Sequence, residues 1–115
     1  MEFLSLGSIV HLKGDSEKVN LMIITYLPQT EENGIKGYYD YAACLYPLGL
    51  AEDKAYFLND EDIDEVVEKG YLDKTGEEFI NALNESYETI KLPKFKHVDK
   101  SYSKDGEDLS DLLKD

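Results

Sequence analysis

Residues 38–50, YYDYAACLYPLGL, decide the fold that we predict for this chain. Side chains alternate between the two faces of a strand, so Tyr39, Tyr41 and Ala43 share one face and the residues between them share the other. The small side chains at positions 42–44 indicate the tightest packing of the sheet. A proline and a glycine follow soon after, and the strand is therefore expected to end there.

Two apolar runs before this stretch predict a β-hairpin. Residues 9–12 and 19–27 are rich in β-branched side chains, and the turn-forming residues 13–16 separate them. The second run is apolar at both alternating sets of positions, which is typical of a central strand. Asn33 and Gly34 then favour the positive φ angles of a loop or a second hairpin.

The segment after residue 50 contains a strand and an ambiguous region. Residues 55–58 predict a short strand, and Asn59 is positioned to cap a helical turn. The pattern over residues 63–71 fits either a helix face or an edge strand. We favour a turn followed by a strand.

Thr75 and Glu78 have the spacing of a capping box, and apolar residues recur after them at intervals of three and four, which predicts an amphipathic helix over residues 76–90. Together these elements predict an α+β fold, in which this C-terminal helix closes a strongly bent antiparallel sheet of about five strands. An SH3-like small barrel is one form that such a sheet can take.

Residues 1–90 are expected to form a single domain, and residues 91–115 a C-terminal tail with a short strand and a weak terminal helix. The residues expected to be largely buried are Ile23, Ile24, Ala43, Leu45, Phe57, Val66, Phe79 and Leu83.

The charge of the chain restricts its partners. It carries 25 acidic side chains against 12 basic ones, all of them lysine, for a net charge of −13. Phosphate groups are bound by positive surfaces and most often by arginine, so we exclude nucleic acids and anionic membranes as partners. Residues 1–90 hold 19 acids and six lysines, whereas residues 91–115 hold six of each. A basic or neutral partner is therefore expected to bind the first part.

Cysteine content and hydropathy indicate the compartment. Cys44 is the single cysteine, which excludes an internal disulfide and suits a reducing environment. No apolar run approaches the ~20 residues of a membrane helix, and the first residues lack the pattern of a signal peptide. We therefore expect a cytoplasmic protein.

One acidic cluster has part of the spacing of a calcium site. Asp60, Asp62 and Asp64 alternate as the first ligands of an EF-hand loop do. Such a loop needs a glycine at its sixth position and a glutamate at its twelfth, and these positions hold Glu65 and Tyr71. We interpret the cluster as a solvated acidic run that caps a helical turn.

Neither the histidines nor the cysteine forms a catalytic motif. His11 and His97 lack the spacing of a metal site, and Cys44 lies mid-strand among apolar residues, where a buried thiol is unreactive. The sequence also lacks glycine-rich phosphate loops and nucleophile elbows. We predict that the protein is not an enzyme and uses neither a metal nor another cofactor.

The tyrosines of residues 38–50 are the candidate binding residues. Aromatic rings on a strand can stack nucleic-acid bases, but an oligonucleotide groove needs positive charge that this chain lacks. Tyrosine otherwise serves the rim of a core or a protein interface, and both alternatives stay open here. If it is an interface, Tyr38, Tyr39 and Tyr46 are the candidate anchors, exposed at a sheet edge.

Four segments of the chain resemble a family of small uncharacterised proteins from Gram-positive Bacillota, one of the numbered domains of unknown function. The segments are GSIVHLKG, VNLMIITYLP, YDYAACLYPLG and AYFLNDEDIDEVVEKGY, and the resemblance covers about residues 5–85. Its most specific pieces are Tyr46, Pro47, Leu48 and Gly49, followed by Phe57, Asn59, Asp62, Ile63, Val66, Gly70 and Tyr71.

Members of that family are typically encoded in type VII secretion loci near LXG-domain toxins. The resemblance therefore implies a cytoplasmic accessory protein that binds a protein partner, similar to an adaptor or chaperone for such a toxin. The alternatives are an immunity protein that neutralises a toxin, or a small enzyme whose site the sequence does not reveal. An immunity protein should bind the catalytic domain of the toxin, whereas an adaptor should bind its N-terminal or middle region. The oligomeric state is left open.

Overall fold

A computed structural model of the chain describes residues 1–51 and 54–96. Short loops join most of its elements, and a 3₁₀ turn at Asp60–Asp62 leads into the last strand. In chain order the elements are β1 (Ile9–Leu12), β2 (Leu21–Tyr26), β3 (Gln29–Glu32), β4 (Ile35–Tyr38), β5 (Tyr41–Leu45), β6 (Tyr56–Leu58), β7 (Ile63–Glu68) and α1 (Lys74–Tyr87).

The main sheet has five strands in the order β6-β5-β2-β1-β7. Each neighbouring pair is antiparallel, and β2 lies in the middle, as its two apolar faces predict. The predicted α+β class and five-stranded antiparallel sheet are confirmed. The barrel form is wrong, because the sheet is open between β6 and β7. β6 and β7 are its two edge strands, and they do not pair with each other in the described part of the chain.

A separate two-stranded sheet is formed by β3 and β4. Asn33 and Gly34 join these strands with φ angles of 56° and 79°. A type I′ turn needs positive φ at both central residues, and this pair is well suited to it. The hairpin also divides the tyrosine stretch, because Tyr38 ends β4 and Tyr41 begins β5.

The hydrophobic core lies between the main sheet and α1. Side chains from β1, β2, β5 and β6, from the N-terminal segment and from the connection before β2 are buried there, and half-buried residues of α1 pack against them. The buried members are Phe3, Val10, Leu12, Val19, Leu21, Ile23, Tyr41, Ala43, Leu45, Tyr56 and Leu58. Of the residues predicted to be buried, Ile23, Ala43 and Leu45 are confirmed, and Ile24, Phe57 and Leu83 are half-buried.

The predicted burial of Val66 is wrong, because β7 is an edge strand in which every residue after Ile63 is exposed. Val66 is 38% exposed and Val67 44% exposed. The pairing with β1 is also irregular, since Ile9 and Val10 are opposite Glu68 and Val66 and Val67 is an additional residue in the ladder.

The predicted burial of Phe79 is also wrong, because α1 contacts the core through a narrow stripe. Ile80, Leu83 and Tyr87 form that stripe at helical spacing. Phe79 precedes it by one position and is 57% exposed. The helix begins at Lys74 rather than at residue 76, since the side chain of its N-cap residue accepts a hydrogen bond from the Gly76 N–H.

Residues 93–95, which follow α1, form backbone hydrogen bonds with Tyr38 at the end of β4. The Tyr38 N–H donates to the carbonyl oxygen of Pro93 at 3.0 Å, and the Phe95 N–H donates to the carbonyl oxygen of Tyr38 at 2.9 Å. Residues 97–115, with the predicted terminal helix, lie outside the described residues. No helix within residues 1–51 and 54–96 has the length and apolar composition needed to cross a bilayer.

Candidate protein-binding groove

Two of the three tyrosines predicted as interface anchors are not exposed. Tyr38 is 8% exposed and Tyr39 1% exposed, whereas Tyr46 is 51% exposed. Tyr39 stacks on Phe57 and donates a hydrogen bond of 2.7 Å to Glu32. The expected exposure of Tyr38 and Tyr39 at a sheet edge is therefore wrong, and an interface role for Tyr46 stays a prediction.

Other tyrosines hold the N-terminal segment on the sheet. The Tyr26 hydroxyl donates to the carbonyl oxygen of Leu4 at 2.6 Å, and the Leu4 N–H donates to the Tyr41 hydroxyl oxygen at 2.9 Å. The ring of Phe3 lies edge-on to Tyr26, Tyr41 and Tyr87 at centroid distances of 5.5, 5.9 and 5.5 Å. These contacts fix the backbone of the N-terminal segment in one position.

A pair of serines fixes the segment between β7 and α1. The Ser5 hydroxyl donates to the carbonyl oxygen of Gly70 at 2.9 Å, and the Gly70 N–H donates to the Ser8 hydroxyl oxygen at 3.0 Å. Both serines are buried. A Cβ atom at position 70 would overlap the carbonyl oxygen of Leu6, so only glycine allows this close approach.

The two fixed segments and the first half of α1 border a groove of about 290 Å³. Phe3, Leu4, Leu72 and Ile80 supply its apolar lining. Leu72 is 45% exposed, and Tyr71 beside it is 83% exposed. Single apolar side chains are common on protein surfaces, but a concave surface with apolar lining is typical of a binding site. We name this feature the Gly70 groove, after the glycine that follows its lining residue Lys69. Its lining residues are Glu2, Phe3, Leu4, Ser5, Lys69, Leu72, Glu77, Ile80 and Asn81.

The rim of the Gly70 groove is mainly acidic. Glu2 and Glu77 contribute carboxylates to the lining, and Lys69 contributes an ammonium group. Residues 60–68, directly before Lys69 in the chain, contain six acidic side chains and no basic one. The groove lining itself has two acidic side chains and one basic side chain, an excess of negative charge that favours cationic groups there.

A second set of exposed apolar side chains lies on the turn after β5. Tyr46, Leu48 and Leu50 are 51%, 54% and 55% exposed. None of them lines the Gly70 groove. We treat this turn as the second candidate, because none of these three side chains belongs to the groove lining.

The cysteine is a core residue. Cys44 is 1% exposed on β5, and burial raises the pKa of its thiol. The thiol form is unreactive, because the thiolate is the nucleophile. Within residues 1–51 and 54–96, no group of three or more His, Cys, Asp or Glu side chains is arranged to hold a metal ion.

An ion pair between the partly exposed Lys94 and the buried carboxylate of Asp40 joins the segment after α1 to the domain. Nζ of Lys94 lies 2.9 Å from Oδ2 of Asp40, 3.0 Å from Oε1 of Glu61 and 3.3 Å from the hydroxyl of Tyr87. Burial alone would lower the pKa of Lys94, but these hydrogen bonds raise it above its usual value. Lys94 is therefore charged and has all three of its donors in use, which makes it an anchor rather than a base.

The same region contains a buried asparagine that links three segments. Oδ1 of Asn59 accepts from the Asp40 N–H at 2.9 Å, and its Nδ2 donates to the carbonyl oxygen of Phe95 at 2.7 Å. The Asn59 N–H donates to Oδ2 of Asp62 at 2.8 Å, which forms the predicted cap of the 3₁₀ turn. The contacts explain the burial of these polar groups without a ligand.

Comparison with known proteins places the chain in a family. The model of a domain of unknown function, DUF4176, matches residues 3–79, more than half of the chain. The chain belongs to the DUF4176 family. The DUF4176 match contains all seven strands and ends within α1, so it includes most of the groove lining, whereas Lys94 lies beyond it. No curated protein and no solved structure matches the chain.

Sequence reasoning did not find the Gly70 groove. Its walls come from residues far apart in the chain, and neither Ser5 nor Ser8 belongs to a pattern that predicts a site. The isolated Gly70 between an edge strand and a helix was the one available signal, because such a glycine marks a close approach of two backbones.

Proposed function

We propose that this DUF4176 protein is a non-enzymatic accessory protein that binds another protein. The observation that carries the proposal is the Gly70 groove, an apolar surface held open by tyrosine and serine hydrogen bonds beside an acidic rim. A preformed groove loses little conformational entropy when it is occupied, so modest apolar contacts can give useful affinity.

The partner that we propose is an LXG toxin of a type VII secretion locus, for which the protein acts as a cytoplasmic adaptor or chaperone. The support is the resemblance to families encoded beside such toxins, together with the acidic surface. A net charge of −13 keeps a protein soluble while it holds an apolar cargo segment.

Co-expression with fragments of the toxin from the same locus tests the proposal. Tagged full-length protein should co-purify with the N-terminal or middle region of the toxin and not with its isolated catalytic domain. Capture of the catalytic domain alone, together with protection of cells from the toxin, would assign an immunity role instead. Failure to bind any fragment, combined with turnover of a small molecule in an activity screen, would replace binding with an enzymatic function.

A further inference from the structure

We infer that the Gly70 groove accepts a large apolar side chain flanked by lysine or arginine, presented by a short segment of the partner. The inference rests on the proposed function, since it names the chemistry of the partner segment. Three properties of the groove support the inference: its size, the side chains of its lining and the charge of its rim.

The size of the groove favours side chains over a cofactor. Its volume of about 290 Å³ lies at the lower end of the range of about 300–1,000 Å³ that is usual for small-molecule sites, so it suits a single large side chain better than a bulky cofactor. Four apolar side chains supply much of its lining, so the group that enters should be apolar. A leucine, isoleucine, methionine or phenylalanine of a partner segment has these properties.

The rim determines which residues flank that apolar anchor. Glu2 and Glu77 lie at the groove with one lysine, Lys69, and Glu68 precedes Lys69 in the chain. A carboxylate at the flank of the partner segment would meet like charge, whereas a lysine or arginine would meet opposite charge. A basic residue beside the anchor is therefore favoured over an acidic one.

The same charges argue against two other occupants. A second copy of this chain would bring Glu2 and Glu77 of both copies to one interface, with a net charge of −13 on each copy. The C-terminal sequence of the chain offers Leu109, Leu112 and Leu113, but acidic residues flank these leucines at positions 108 and 111. Both occupants would place carboxylates on an acidic rim.

Selection from a random library of dodecapeptides displayed on phage tests the inference. The full-length protein serves as bait, and the enriched clones are retained and then tested on a Leu72→Ser bait. The retained clones should pair a large apolar residue with nearby lysine or arginine. Retained clones with acidic flanks, or no clones that depend on Leu72, would overturn the inference.

Variant baits separate the groove from the rest of the surface. A consensus peptide should bind Leu72→Ser about tenfold more weakly than wild type. Asn81→Trp, which places a bulky ring in the groove from an exposed helix position, should weaken binding similarly even if Leu72→Ser is poorly folded. Ile35→Ser, a matched change of an exposed residue on the β3–β4 hairpin, should bind as wild type does.

Three further results would each overturn the inference. Loss of binding on Tyr46→Ser with no change on Leu72→Ser would move the site to the turn after β5. Tenfold tighter binding by a chain that ends at Lys96 would assign the groove to the C-terminal residues. If the wild-type protein is a dimer and Leu72→Ser dissociates that dimer, the groove would be assigned to a second copy of the chain. If the toxin still co-purifies in any of these cases, the proposed function stands and only the groove assignment fails.

Discussion

Nζ of Lys94 lies 2.9 Å from Oδ2 of Asp40, a carboxylate with no exposure to solvent. Oδ2 also accepts from the Asp60 N–H at 2.8 Å. A buried charge is costly unless it is paired and hydrogen-bonded, and here the pairing residue comes from the segment after the helix. The last described residues are therefore part of the folded unit and hold the β4 end of the domain.

Replacement of Lys94 by methionine should destabilise the protein strongly. The change leaves Asp40 buried without its cation, and the loss of one member of such a pair costs about 3 kcal/mol, at the lower end of the usual range because Lys94 is partly exposed. Denaturant unfolding followed by circular dichroism measures the cost. Lys91→Met, at an exposed position three residues earlier, is the matched control, and equal midpoints for the two variants would refute the anchor role.

Stability should fall as the pH rises above 10. Burial, above all, raises the pKa of Tyr39 and Tyr41 from the usual 10.0. The unfolded chain then loses these protons first, so the contribution of both hydroxyls to stability is fully present below pH 10 and is lost above it. The raised pKa of Lys94 acts in the same direction above 10.5.

Unfolding free energies measured through the alkaline range check this sign. Tyr39→Phe removes one of the groups, so its stability should decline less steeply than that of the wild type. The variant also loses the hydrogen bond to Glu32, at a cost of about 1 kcal/mol near neutral pH. A wild-type stability that is constant or rising above pH 10 would contradict the assignment.

Gly70→Ala should destabilise the protein more than Gly14→Ala. A methyl group at position 70 overlaps the backbone of Leu6, which cannot move without loss of the serine hydrogen bonds. Gly14 has a φ of 82° and open space around it, so its substitution costs only the backbone strain of about 1 kcal/mol. Thermal melting of the two variants tests the order, and an equal or smaller loss for Gly70→Ala would show that the contact is not tight.

The Cys44 thiol should react only when the protein unfolds. Its burial hinders access and its raised pKa reduces the thiolate fraction, so labelling by a disulfide reagent should be slow in the native protein and fast in guanidinium chloride. Rapid labelling under native conditions would indicate that β5 opens to solvent.

The strands were predictable from sequence because local patterns determine them. The β-branched run of β2, the strand at Tyr41–Leu45 and the Asn33-Gly34 turn all appear in the structure, although Tyr38 belongs to β4 and not to the strand that follows it. Asn59 and the strand after it were likewise predicted correctly. Each of these features depends on neighbouring residues and on backbone preferences that a short window reveals.

The exposure of individual side chains, and with it the groove and the ion pair, was not predictable from local sequence patterns. Val66 is exposed because β7 is an edge strand whose residues after Ile63 are all exposed, and no pattern within β7 specifies that position in the sheet. Tyr38 and Tyr39 are buried through contacts with residues from later in the chain, among them Tyr87 and Phe57. Such contacts depend on tertiary packing, so alternation alone predicts the elements but not which faces remain exposed.

The most direct test of the account is the affinity of the protein for the LXG toxin of its own locus, measured by biolayer interferometry with wild type, Leu72→Ser and Ile35→Ser. Leu72→Ser should bind about tenfold more weakly while Ile35→Ser binds as wild type does, and raising the salt concentration should weaken binding by all three. Equal affinities for the three proteins would contradict a groove-mediated interaction. No binding by any of them would contradict the proposed function itself.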